Sequence, residues 1–276
     1  MKSGIYIVAT PIGNLNDISF RAKEVLNEAD VIACEDTRVT KKLFSLLGLN
    51  HKKTFIAFHD HNEDEKAQIL IDYVNQGLAV AQVSDAGSPL ISDPGFHLIK
   101  QCHRQGVDVY AIPGPCALIC ALQLSGLPTN SFMFAGFIPN KDKARADLFN
   151  KLKDIETTLV FYETANRLLK TLHTAADVFK DREIAVAREI TKIYEECRNG
   201  TARELIAHFE ENEPKGEIVL MVAPPDENQK TQIDVEALLR EELQKQSLKG
   251  AVKALVEQYG LNKNEVYDLA LKIKNE

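Results

Sequence analysis

Five short apolar runs in the first 112 residues, Ile5–Ala9, Val31–Cys34, Phe55–Phe58, Leu78–Val83 and Val107–Ile112, each break off into a cluster of polar or turn-forming residues. Between them lie stretches with helical spacing, such as Ala22, Val25, Leu26 and Ala29, which Ser19 is placed to cap. Strand, loop and helix in strict alternation constrain this half to a mostly parallel α/β sheet, since parallel neighbours need a crossover between them. Open sheets of that kind hold their sites at the carboxyl ends of the strands. The residues that follow each run are therefore the candidates for function.

The densest of these clusters is Ser84 to Gly95, with two Gly, two Pro and two Asp, a composition that fixes a loop and suits a small polar ligand. The first run ends in Thr10-Pro11-Ile12-Gly13-Asn14-Leu15 and the second in Glu35-Asp36-Thr37-Arg38, where Asp36 or Thr37 could equally serve as a helix cap. After the third run, His59-Asp60-His61-Asn62-Glu63 invites a metal reading, but further ligands are not evident and Asn62 reads as a cap. The fifth ends in Pro113-Gly114-Pro115-Cys116-Ala117, ahead of an apolar helix. No His neighbours Cys116 in sequence, which favours packing or backbone contact over nucleophilic chemistry.

Ser125-Gly126-Leu127-Pro128 reads as a linker, and the pattern then changes. Strands are expected at Phe132–Gly136, Thr158–Tyr162, Ile184–Ala187 and Gly216–Val222, with a basic stretch, Asn140 to Arg145, leading into a helix. Linker composition recurs over 224–230, and three amphipathic helices follow at Val235–Leu243, Leu248–Tyr259 and Lys263–Ile273, with Gly260-Leu261-Asn262 as a turn. The expected organisation is thus 1–126, an α/β domain with a parallel sheet; 127–224, a second α/β domain; and 225–276, a small helical module shaped like a helix-turn-helix. That module carries 8 basic and 10 acidic residues between 226 and 276, net -2, and the whole chain is at -7, so bulk electrostatics favour no nucleic acid. Five Cys without a Cys-x-x-Cys pair point to reduced thiols, and no run reaches the roughly 20 apolar residues of a membrane span. A folded cytosolic chain without a membrane span or a metal site is the expectation.

Six motifs in order, Thr10 to Leu15, Glu35 to Arg38, His59 to Glu63, Asp85 to Gly95, Pro113 to Pro115 and Phe161-Tyr162-Glu163, resemble the ribosomal RNA small subunit methyltransferase I family, a branch of the tetrapyrrole methylase fold. The resemblance spans nearly the whole chain. It implies two α/β domains with a cofactor cleft between them, usually in a homodimer. It also implies an S-adenosylmethionine-dependent methyltransferase acting on the ribose 2′-OH of a cytidine in the decoding region of small-subunit (16S) ribosomal RNA, free or within the assembled 30S subunit. A tetrapyrrole, or another small-molecule or protein acceptor, is the alternative on the same fold.

Carried over by resemblance, the cofactor loop falls on Asp85, Gly87, Ser88 and Ile91, with Ser88 where many relatives have Asp. Ile12, Pro115 and Cys116 fall beside the cofactor, and Tyr162, Glu163 and Glu217 on the facing wall. For activating the acceptor hydroxyl, the strand-end groups Asp36, Glu35, His59 and Glu63 are the candidates, Asp36 first. Arg38, Lys141, Lys143 and Arg145 suit RNA phosphate.

Overall fold

The structure, a computed structural model, describes residues 1–226, 235–259 and 262–275. It forms two compact units, Met1–Pro224 and Pro225–Glu276. Part of the linker expected over 224–230, and Gly260 and Leu261 of the expected turn, lie outside the described residues.

In the first sheet, strands β1 (Gly4–Val8), β2 (Val31–Cys34), β3 (Thr54–Ala57), β4 (Ala79–Val83) and β5 (Val109–Ile112) run parallel in the order β3-β2-β4-β1-β5. Alternate strand residues supply two cores. Val8, Ile32, Cys34 and Ala81 face helices α1 (Phe20–Glu28) and α2 (Thr37–Leu47), while Ile5, Val31, Ala33 and Val80 face α3 (Glu63–Asn75) and α4 (Phe96–Gln105). Burial on both sides explains the continuous apolar runs. As expected, Ser19 caps α1 by accepting from the Ala22 amide at 3.1 Å.

The chain leaves β1 toward β2 and leaves β4 toward β5, so connections depart in opposite directions from two adjacent strands. That is the switch point at which open sheets form a crevice. Here the loops after β1 and β4 are joined by a two-way backbone bridge, Thr10 N to Gly87 O at 2.9 Å and Gly87 N to Thr10 O at 3.1 Å.

The second sheet contains β6 (Phe132–Phe137), β7 (Thr158–Thr164), β8 (Ile184–Arg188), β9 (Glu196–Gly200) and β10 (Glu217–Val222), ordered β6-β7-β10-β8-β9, with only β6 and β7 parallel. Strand β9 is absent from the sequence reading. Glu196-Cys197-Arg198-Asn199-Gly200 has no apolar run, because it lies at the sheet edge, where Glu196 pairs with Arg188 at 2.6 Å and Arg198 at 2.7 Å. Helices α6 (Asp142–Leu152), α7 (Ala165–Phe179) and α8 (Ala202–Glu211) cover one face of this sheet around Phe149, Phe161, Phe179 and Phe209.

Its other face is covered by α5 (Ala117–Ser125), the apolar helix that follows β5 in the chain. Leu118, Ala121 and Leu122 pack with Val160, Ala185, Ala187 and Met221 of the second sheet and with Ile12 of the loop after β1. By packing, α5 belongs with the sheet that comes after it. The sequence reading divides the chain at residue 126, whereas both sheets lie within the single compact unit Met1–Pro224.

In the C-terminal unit, α9 (Val235–Lys245), α10 (Leu248–Tyr259) and α11 (Lys263–Asn275) enclose Leu239, Ala251, Val252, Leu255, Val266 and Ala270. The expected helices match, and α9 and α11 each run two residues further. No helix among the described residues is long and apolar enough to cross a membrane.

Phe149 has no exposed surface and stacks its ring against Phe161 and Phe179, with centroids 5.5 and 5.0 Å away. Truncating it leaves a cavity and removes both ring contacts. Phe149→Ala is expected to cost about 3–5 kcal/mol of stability, read as a lower midpoint in chemical denaturation.

Candidate functional site

The loop after β4 is held from several sides. Gly87 has φ +84°, and a Cβ there would stand 3.2 Å from Ile12 Cγ2, so the conformation and the close approach both call for glycine. Leu90 and Ser92 also sit at positive φ, 70° and 65°, a strain that the surrounding bonds must sustain. Ser88 Oγ donates to Pro115 O at 3.1 Å, and Gln82 Nε2 donates to Pro94 O at 2.7 Å. At the far end, Glu63 Oε1 accepts from the amides of Gly95, His97 and Leu98 at 3.0, 2.7 and 3.2 Å, capping α4 from within the core.

This loop forms one side of a cleft of about 340 Å³. Ile12, Glu35 and Cys116 line it from the first sheet's loops, and Phe137, Tyr162, Glu217 and Val219 from the second sheet. Phe134 and Phe137 meet the Tyr162 ring edge-on at 4.8 and 5.4 Å. Burial pushes the Tyr162 phenol up to about 12, so it stays protonated at neutral pH. At the rim, Lys192 Nζ bridges Glu189 at 2.9 Å and Glu217 at 3.0 Å. A Cβ at Gly13 would come within 2.6 Å of Lys192 Cγ, which shows how closely loops from the two sheets approach there.

The cleft is acidic on one side. Burial raises the carboxyls of Glu35, Asp85 and Asp93, and each also feels neighbouring carboxylates: Asp85, Asp93 and Asp60 around Glu35, Asp36 beside Asp85, and Asp60 and Asp85 near Asp93. Asp36 behaves oppositely. Its carboxylate caps α2 through the Arg38 amide at 2.8 Å and pairs with the Arg38 guanidinium at 2.6 Å, which holds it at about 2. Apolar and aromatic walls with a surplus of carboxylates suit a ligand that combines an apolar ring system with a positive centre.

Of the residues expected from sequence, Ile12, Glu35, Asp85, Gly87, Ser88, Ile91, Cys116, Tyr162, Glu163 and Glu217 all line the cleft. Pro115 lines an adjoining hollow with Cys116 and Cys120. Several side chains have other work. The Ser88 hydroxyl is committed to Pro115, and the Glu163 carboxylate to Arg167 and Thr171. Glu63 is a buried cap with three amide donors and is no base for a bound substrate. His59 lies outside the cleft lining, with its Nδ1 buried and unpartnered among the described residues.

Among the expected phosphate contacts, Arg145 is a correction. It lies one turn inside α6, 3% exposed, with its guanidinium spent on Asp142 at 2.6 Å and Thr174 at 2.9 Å. Arg38 is exposed but paired with Asp36, while Lys141 and Lys143 are exposed. Asp93, Phe137, Ile190 and Val219 also line the cleft and were not singled out from sequence. Asp93 stands within the dense loop itself; Ile190 had no local signal, because it comes from a polar turn after β8.

The family described as Tetrapyrrole (Corrin/Porphyrin) Methylases matches residues 4–206, and the RsmI C-terminal HTH domain matches residues 229–274. The chain is 46% identical over 275 residues to the Ribosomal RNA small subunit methyltransferase I of Vibrio cholerae, covering 97% of this chain and 94% of that one. It is 45% identical to the protein of the same name from Pasteurella multocida, covering 97% and 96%. Among solved structures, diphthine synthase superposes with a TM-score of 0.62 at 16% identity, covering 79% of this chain and 89% of that one, a likeness of fold.

Two measurements check the site's physics. Glu63→Gln removes the charge that three amides share and is expected to lower stability by about 1–3 kcal/mol, read by denaturation. Because folding raises the carboxyl of Asp93, the folded chain holds more protons than the unfolded one in that range, and stability falls as pH rises through it. Asp93→Asn should therefore raise the melting temperature at pH 7, and the gain should fade as pH falls through the carboxyl's titration, read by thermal denaturation across a pH series.

Proposed function

This chain belongs to the ribosomal RNA small subunit methyltransferase I family, S-adenosylmethionine-dependent methyltransferases of the tetrapyrrole methylase fold, and from that premise we propose that it methylates the ribose 2′-oxygen of a cytidine in the decoding region of small-subunit ribosomal RNA. The observation that carries this reading is the near-full-length similarity, with its C-terminal module matched as well. Tetrapyrrole-acting relatives share the fold at far lower identity, 17% for cobalt precorrin-4 methyltransferase.

S-adenosylmethionine bound in the cleft supplies a methyl group on a positively charged sulfur. Ile12, Gly87, Ile91, Cys116, Tyr162 and Val219 would hold it, the carboxylates of Asp85 and Asp93 favouring its positive charge. The rest of the work is alignment and proton removal, since a ribose hydroxyl is a weak nucleophile. Glu35 replaces Asp36 as the group that accepts the hydroxyl proton while the oxygen gains the methyl. Its carboxyl lines the cleft and is raised by burial, whereas Asp36 is locked in an ion pair that weakens it as a base.

Undermethylated small subunits, naked small-subunit RNA and a tetrapyrrole precursor, each incubated with radiolabelled cofactor, test the reading. Label should enter RNA as a ribose methyl; label in the tetrapyrrole alone would refute it. Glu35→Gln is expected to lower the single-turnover rate by about 10²–10⁴ while cofactor affinity by calorimetry stays near that of the unsubstituted chain. Asp36→Asn is expected to reduce the rate far less, and an unchanged rate for Glu35→Gln would remove Glu35 from the mechanism.

A further inference from the structure

We propose that Phe137, in the cleft lining at the end of β6, is the platform on which the base of the acceptor nucleotide stacks. A defect in the strand delivers its ring there. Phe134 pairs with Val160 and Phe137 with Tyr162, so three steps along β6 match two along β7, and Gly136 inside that shift sits at φ +71°. In an unbroken strand, side chains three residues apart point to opposite faces. Here both rings meet Tyr162, Phe134 within the layer beneath α5 and Phe137 in the cleft lining. The extra residue has turned Phe137 toward the cleft.

Packing alone does not account for the ring's position. Phe149 and Phe161 of the same half have no exposed surface, whereas Phe137 is 56% exposed. An aromatic ring left open in a cleft wall is completed by a flat apolar group that covers it. The bend also approaches the cofactor loop, since a Cβ on Gly136 would stand 3.6 Å from Ser92 Oγ, and Ser92 lines the cleft. Phe137 thus flanks the space between that loop and the second sheet.

A methyl-accepting ribose must bring its 2′-oxygen to Glu35 in this cleft, and it carries its base on the neighbouring carbon. The base therefore arrives within one nucleotide's reach of the lining. A nucleotide held in this way is unstacked from its own strand, a loss that an aromatic side chain restores. Stacking of this kind holds the base in place without reading its identity. The inference rests on the reading that the acceptor is a nucleotide of ribosomal RNA.

The test pairs variants at Phe137 with small subunits reconstituted on RNA that carries, at the methylated position, either cytidine or an abasic ribose with its 2′-OH intact. Radiolabel transfer under single turnover measures even slow reactions. On cytidine, Phe137→Ala should lower the rate at subsaturating RNA by about 5–150-fold, the range for one lost base stack. Phe137→Leu, apolar and similar in bulk, should lose nearly as much, and Phe137→Tyr should recover most of the loss. On the abasic acceptor, Phe137→Ala should cost almost nothing, a non-additivity that a general loosening of the cleft would not produce. Equal losses on both acceptors overturn the stack and spare the function. Full activity in Phe137→Leu also overturns it, because the ring face is then not needed. The cofactor's adenine is the competing occupant: calorimetry should show cofactor affinity unaltered by Phe137→Ala, and a matching loss there assigns the ring to the cofactor and overturns the proposal. If the unsubstituted chain transfers no methyl to RNA, the functional reading falls and the stack falls with it.

Discussion

Two backbone hydrogen bonds between Thr10 and Gly87 set the geometry on which the site depends. They join the loops after β1 and β4 at the point where the sheet's connections diverge, and so keep a crevice from either closing or splaying. With Gly87 fixed, Ile12 presses against it, the left-handed Leu90 and Ser92 become tolerable, and the loop runs on to its anchor at Glu63. Removing any one of these would leave the others holding a strained segment without support.

The first sheet was legible in the sequence because its strands are buried on both faces and announce themselves as unbroken apolar runs. The same logic explains where reading failed. β9 is an edge strand held by Arg188, Glu196 and Arg198, so charge pairing rather than burial forms it, and charge pairing has no period that a sequence displays. The loops on the first sheet's side of the cleft could be placed because strand ends in a parallel sheet share one side, whereas the individual cofactor residues and the facing wall from the second sheet came from the family resemblance. What a carboxylate does once there could not be read, since Glu35, Asp36 and Glu63 look equivalent as letters. Only their partners separate them: a crowd of acids, a guanidinium and three amides.

Charge followed a similar course. The net charge of the chain says little about any one surface, because the sum counts carboxylates that are already neutralised by neighbours one helical turn away. Folding sorts the remainder by face. Arg145 moved in the other direction, from a basic stretch in sequence to a structural tie beneath α6.

Helix α5 is continuous in sequence with the first sheet and in packing with the second. The turn Pro113-Gly114-Pro115-Cys116, short and doubly proline-stiffened, is thus where the two sheets are mechanically coupled, and it borders the cleft. A chain divided into separately expressed halves would have to be cut ahead of Ala117. A first fragment that kept α5 would present Leu118, Ala121 and Leu122 to water, while the second fragment would arrive with the face that covers Val160 and Met221 missing.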